Sequence, residues 1–170
     1  MSPIAPIVIF TDGACQGNPG PGGWAWAIAP EGTVHGSGGA PHTTNQRMEM
    51  QAVLEALRAH PDSPVGSITI VSDSTYVVNC FRDRWWVRWQ QNGWKNSKKE
   101  PVANTDLWKP LIEQVQRAEP NFRWVKGHSG DPMNDLVDRL AVDAAKGPFD
   151  RLPAGGATDE VGVPAQDSLF

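Results

Sequence analysis

Two aspartates in this chain each follow a short apolar run. Asp12 comes after Ile7-Val8-Ile9-Phe10-Thr11, and Asp73 after Ile68-Thr69-Ile70-Val71-Ser72. A carboxylate at the tip of a buried strand either makes a tight turn, as Asp-Gly does, or faces a cleft. Two more acids lie in segments with helical spacing: Glu49 in "TTNQRMEMQAVLEALRAH" and Asp138 in "NDLVDRLAVDAA". Each of them alone reads equally well as a solvated helix acid. Together they suggest something else. Four carboxylates gathered in one place repel each other unless cations lie between them. Oxygen ligands of this kind select hard divalent ions, Mg2+ or Mn2+. Two such ions about 4 Å apart can clamp the attacking water and the leaving oxygen of a phosphodiester.

The elements that must position these acids follow from periodicity. Residues 4–12 read as a buried strand. Residues 23–29, "GWAWAIA", alternate strictly, with Trp24, Trp26 and Ile28 on one face and alanines on the other. Residues 32–39 form a weaker, glycine-rich third strand. The spacing then becomes helical, with Met50, Val53, Leu54 and Leu57 on one face and Thr44 as N-cap. Residues 67–73 are a strand. The segment after it forms one or two helices and a loop. Residues 105–117 form a helix in which Pro110 predicts a late start or a kink. Residues 121–127 are the last strand. Asp131-Pro132 opens a final helix that runs to about Lys146. Leu136, Val137, Leu140 and Ala141 mark its packed face, with Asp138 at the border and Asn134 one turn earlier. The order β-β-β-α-β-α-β-α predicts a mixed α/β sheet. Right-handed crossovers place the first and fourth strands side by side and parallel. Asp12 and Asp73 then end neighbouring strands at the edge where such sheets bind ligands. The glycines of residues 13–23 read as a bare loop that lets a large ligand approach.

Composition bounds the partners. A chain of 170 residues with ordinary apolar content suits one folded domain, and residues 148–170 read as a disordered tail. Two cysteines, Cys15 and Cys80, are too few for a disulfide framework and fit a reducing cytoplasm. No apolar stretch is long enough to span a membrane, and no basic-then-apolar leader pattern opens the chain. The net charge of −4 hides an asymmetry: residues 82–99 carry +5 and the remainder −9. Four of the eight tryptophans, Trp85, Trp86, Trp89 and Trp94, fall in that basic stretch. Cations interleaved with aromatics suit a phosphate backbone and its sugars, or a helix packed by its indoles with charges outward.

The motifs "TDGAC-GNPGPGG", "TTNQRMEM-A", "SDS-YV", "GW", "DLW", "VKGHSG-P-ND" and "VDRLA" occur in this order. With them the chain resembles a bacterial type 1 ribonuclease H over about residues 6–146. The resemblance implies the ribonuclease H-like α/β fold, a five-stranded mixed sheet with helices on both faces, making a catalytic domain of residues 1–147. It implies endonucleolytic hydrolysis of the RNA strand of RNA–DNA hybrids by a monomer with two Mg2+ ions (Mn2+ as a substitute), leaving 3′-hydroxyl and 5′-phosphate ends. The family's metal-binding carboxylates fall on Asp12, Glu49, Asp73 and Asp138, and its mobile-loop histidine on His128. Asn18 and Asn45 match residues that reach the minor groove, where 2′-hydroxyls mark RNA. Thr44 and Asn104 match a pocket for a DNA-strand phosphate, and Trp85 an aromatic that packs on DNA sugars. Arg84, Arg88, Lys95, Lys98 and Lys99 match the basic handle. Gln46 and Thr75 depart from the residues common at two minor-groove positions, and Asp131 adds an acid beside the histidine loop. Two alternatives remain at this point. One is a non-catalytic hybrid-binding module, which should lack an acid of the four. The other is a nuclease of the same fold with a different nucleic-acid substrate.

Overall fold

In the computed structural model, which describes residues 6–149, alternation along two strands sets the layers. β1 (Ile7–Cys15) pairs antiparallel with β2 (Gly20–Ile28), and β2 with β3 (His35–Thr43). On one face of β2, Trp24, Trp26 and Ile28 meet the larger core, and on the other Ala25 and Ala27 lie against a smaller one. The chain continues through α1 (Asn45–Arg58), β4 (Ile68–Ser72), α2 (Thr75–Arg82), α3 (Trp85–Asn92), α4 (Thr105–Ala118), β5 (Asn121–Trp124) and α5 (Pro132–Ala145). The sheet order is β3-β2-β1-β4-β5, with β1–β4 and β4–β5 parallel. Helices cover both faces, as the resemblance implied. Met50, Val53, Leu54 and Leu57 of α1 bury the larger core with Val77, Phe81, Trp89, Trp108 and Leu111. Val137 and Ala141 of α5 close the smaller one over Phe10 and Val71.

The caps are the expected ones. Thr44 accepts a hydrogen bond from the Arg47 N–H, and Asp131 accepts from Met133 and Asn134, with Pro132 opening α5. Asp131, which had read as an added acid beside the histidine loop, is thus occupied as a cap.

Several boundaries differ from the sequence reading. β1 does not end at Asp12. Its pairing with β2 continues through Asp12↔Ala25, Gly13↔Trp24 and Cys15↔Gly22, so the aspartate lies within a strand. The glycines around it fill internal contacts and do not form a bare approach for a ligand. A Cβ on Gly13 would overlap the backbone of Met48 and Glu49, and one on Gly23 the backbone of Ala141 and Ala145. β3 runs later and longer than residues 32–39. Its Gly36 and Gly38 leave room for the indoles of Trp26 and Trp24, which lie across the strand. Flat rings over glycines supply the packing that the strand's own side chains lack. β5 stops at Trp124, short of residue 127. Pro110 sits inside α4 and neither delays its start nor ends it. It forgoes one ladder bond, and the buried face of Leu107, Trp108, Leu111 and Ile112 holds the helix. Residues 150–170, most of the expected tail, and residues 1–5 lie outside the described residues.

Candidate active site

The parallel ladder between β1 and β4 ends at Thr11↔Ser72. Asp12 and Asp73 occupy the next step, where β4 has left the sheet and β1 is still held by β2. Gly13 then decides where α1 can lie. With no Cβ on Gly13, the helix rests directly on β1, and this brings Glu49 to Asp12. Oxygens of Asp12, Glu49 and Asp73 all lie within 4.8 Å of one another. Asp12 and Glu49 are buried at 4% and 7% exposure, and Asp73 is half-buried. Asp138, half-buried on α5, stands outside this group of three, yet its charge reaches both aspartates.

Burial and crowding together hold protons on these acids. Burial, then the Asp73 charge, pushes the Asp12 carboxyl up to about 8, against the pull of the Gly13 N–H that donates to Asp12 Oδ1 at 2.9 Å. Burial, followed by the charges of Asp12 and Asp73, raises Glu49 well above the carboxylate range. Burial also raises Asp73, a hydrogen bond with Asp12 lowers it, the Asp138 charge raises it and His128 lowers it. Among the described residues the ion pairs are Arg47–Asp106, Arg58–Glu55 and Lys146–Asp143, so no lysine or arginine neutralises the cluster. Glu49 Oε1 is buried without a hydrogen-bond partner. A dry oxygen with no donor, inside a set of hard oxygen ligands with no counter-ion, fits a divalent cation.

His128 follows β5 in an exposed loop. It has φ 58°, a left-handed backbone uncommon outside glycine, and Gly130 has φ 89°. Two neighbours of Asp73 gave no signal in the sequence. The Trp124 indole N–H donates to the Asp73 carbonyl at 3.1 Å, and Gly127 lies against the Asp73 carboxylate.

The expected substrate residues fall into three groups. Asn18 Oδ1 accepts from the Asn45 N–H at 3.0 Å, tying the β1–β2 turn to the start of α1. Both residues are exposed there, as are Gln46 and Thr75. Asn104 is fully buried with φ 64°, and its Oδ1 accepts from Arg47 Nη1 at 3.0 Å. That bond fixes the amide, leaving Asn104 Nδ2 a buried donor without a partner. Arg47, whose own N–H meets Thr44, therefore couples the two residues expected to hold a phosphate. Sequence reasoning had passed over Arg47, a buried cation that also binds Asp106. The third group is the basic stretch, and here cations and indoles separate. Arg84, Arg88, Lys95, Lys98 and Lys99 are exposed. Trp89 is buried against Trp108 at 5.4 Å, and Trp85 packs on Tyr76 and Trp89. The tryptophans chiefly bury core, as an amphipathic packing requires, and the charge faces water.

This arrangement has close counterparts. Residues 5–146 match the family model described as RNase H. A protein from Syntrophomonas wolfei named Ribonuclease H is 51% identical over 141 residues, 82% of this chain and 96% of that protein. The crystal structure of LC9-RNase H1, described as a type 1 RNase H with the type 2 active-site motif, superposes with a TM-score of 0.71. It is 30% identical and covers 86% of this chain and 75% of that one. A foamy viral protease-reverse transcriptase in complex with RNA/DNA hybrid shares the fold at a TM-score of 0.70 and 21% identity, over 83% of this chain and 20% of that one. With a buried three-acid cluster where the parallel strands part, and with this match across nearly all of its described residues, the chain belongs to the RNase H family.

Proposed function

We propose that this protein hydrolyses the RNA strand of RNA–DNA hybrids at a divalent-metal centre held by Asp12, Glu49, Asp73 and Asp138. The observation that carries this reading is the buried, counter-ion-free cluster with its unpartnered Glu49 Oε1. Bound divalent cations, Mg2+ above all, supply an activated water and stabilise charge on the leaving oxygen. The chain's residues supply the rest. Asp12 and Glu49, dry and crowded, would give up their protons to hold the cations together with Asp73. Water attacks phosphorus and the P–O3′ bond breaks, leaving a 3′-hydroxyl and a 5′-phosphate. His128, exposed on its loop, delivers a proton to the departing O3′ or assists release of the product. Asn18 and Asn45 meet 2′-hydroxyls, and Thr44, coupled through Arg47 to the buried Asn104, holds a phosphate of the DNA strand. Trp85 packs on a DNA sugar, and the exposed cations of residues 84–99 follow the backbone. One chain supplies every acid of the cluster, so a monomer suffices. No described helix is long and apolar enough to cross a membrane, and both cysteines are free, which suits a reducing cytoplasm.

The test uses end-labelled RNA in three contexts: paired with DNA, paired with RNA, and single-stranded, each with Mg2+ or with chelator. Cleavage confined to the hybrid with Mg2+, yielding fragments that a polymerase can extend, supports the reading. Equal cleavage of RNA duplex, or 2′,3′-cyclic ends, would overturn it.

A further inference from the structure

Asp73 is the first residue past the end of β4, so the sheet ladder no longer holds its backbone. What replaces the ladder is built from β5 and the loop after it. The Val125 N–H donates to the Ser72 carbonyl at 3.0 Å and continues the pairing for one more bond. Ser72 Oγ accepts from the Ser74 N–H at 3.0 Å, and Ser74 caps α2. The Asp73 carbonyl between them is taken by the Trp124 indole N–H at 3.1 Å. Trp124 is 44% exposed, the largest exposed apolar side chain among the described residues. A ring left so far in water gains little from burial, and its distinctive contribution is the N–H. On the other side, a Cβ on Gly127 would stand 2.7 Å from Asp73 Oδ2, 3.5 Å from its Cγ and 3.6 Å from its Cβ. Gly127 does not adopt a left-handed φ. Its bareness serves the carboxylate beside it, not the turn.

We infer that Trp124 and Gly127 are positioning residues that clamp Asp73, Trp124 through the backbone carbonyl and Gly127 by bounding the carboxylate. The inference rests on the reading of Asp73 as a metal ligand. A side chain that leaves a strand end has rotamers to choose from, and a ligand must hold one of them closely. The indole hydrogen bond fixes where the Asp73 backbone turns. The bare Gly127 surface leaves Oδ2 its place and bounds it on that side.

Two substitutions separate the two contacts. Trp124→Phe keeps the ring and removes the N–H. Gly127→Ala adds one methyl at a backbone conformation alanine can adopt. Calorimetric titration of the full chain with Mg2+, without nucleic acid, reads ligand placement, and melting with chelator reads the fold. Trp124→Phe should weaken Mg2+ binding by about 5-fold, the scale of one hydrogen bond. Gly127→Ala should weaken it by about 10-fold or more, because the carboxylate itself is displaced. In both variants kcat on hybrid should fall at subsaturating Mg2+, KM for hybrid should hold, and the metal-free melting temperature should stay near the parent's. Parent-like Mg2+ affinity in both variants would overturn the clamp, as would a loss that merely tracks a fall in metal-free melting temperature. Asp73→Asn in the same titration tells the two failures apart. If it too binds Mg2+ as the parent does, the ligand reading of Asp73 has failed and not the clamp alone.

Discussion

Removing one acid from the cluster should make the metal-free protein more stable at high pH and leave it unchanged at low pH. The perturbation is Asp12→Asn, which keeps the size of the side chain and removes its charge. Asp12 is held up to about 8 in the fold, from an ordinary 3.8. The native state therefore binds a proton that the unfolded chain gives up first. The stability this provides is complete below about pH 4 and is lost progressively as pH rises through about 8. A gap of about four units, at 1.36 kcal/mol each, bounds the loss at about 5 kcal/mol. Glu49 and Asp73 share the proton and relax with it, so replacing Asp12 alone should recover less, about 2 kcal/mol. For a domain of this size that is about 4–8 °C in melting temperature. The assay is thermal melting with chelator at pH 4 and pH 9. Parent and variant should melt together at pH 4, and the variant should melt higher at pH 9. Saturating Mg2+ should reverse the order, since only the parent retains the full ligand set. Parallel pH profiles for the two proteins, or a variant less stable at pH 9, would refute the electrostatic account of the site.

The other expectations concern the periphery. Neutralising the exposed Arg88, Lys95 and Lys98 should raise KM for hybrid, leave kcat nearly unchanged and flatten the slope of log affinity against log salt by about 2–3; an unchanged slope would show that these cations do not meet phosphate. His128→Ala should lower kcat by about 10²-fold, the scale of lost acid–base help, with hybrid and Mg2+ affinity retained; full kcat from pH 6 to 9 would make it an ordinary loop residue. Arg47→Met should cost about 1–3 kcal/mol in urea unfolding, because it leaves the buried Asn104 amide oxygen without its donor. Its affinity for hybrid should fall as well, and retained affinity would argue against the coupling of Asn104 to the phosphate site.

What could be read from the sequence depended on how local its cause was. The alternation at Trp24, Trp26 and Ile28, the caps at Thr44 and Asp131, and the parallel neighbours β1 and β4 follow from periodicity, short-range hydrogen bonds and crossover handedness. So did the meeting of Asp12, Glu49 and Asp73, once two strand ends and a packed helix were in place. The errors came where a distant contact overrides a local signal. Asp12-Gly13 carries the signature of a turn, but β2 holds it extended and α1 needs the bare Gly13 surface. Gly36 and Gly38 left the third strand a weak signal in the sequence, because the indoles that justify them belong to β2. Trp124 and Gly127 sit in an ordinary strand-to-loop passage, and only the fold places Asp73 between them. Arg47 sits among helix formers, and its partners Asn104 and Asp106 are nearly sixty positions away.

The central claim is that the buried acids form a site that exchanges protons for divalent cations. Its most direct test is calorimetric titration of Mg2+ into the chelator-free protein at pH 7, in two buffers of different ionisation enthalpy. With Asp12 held up to about 8 and Glu49 also raised by burial and its neighbours' charges, binding should release protons, visible as heats that differ between the buffers. Asp12→Asn should bind far more weakly and release fewer protons. Buffer-independent heats, or Mg2+ binding that survives Asp12→Asn undiminished, would place the metal elsewhere and contradict the account.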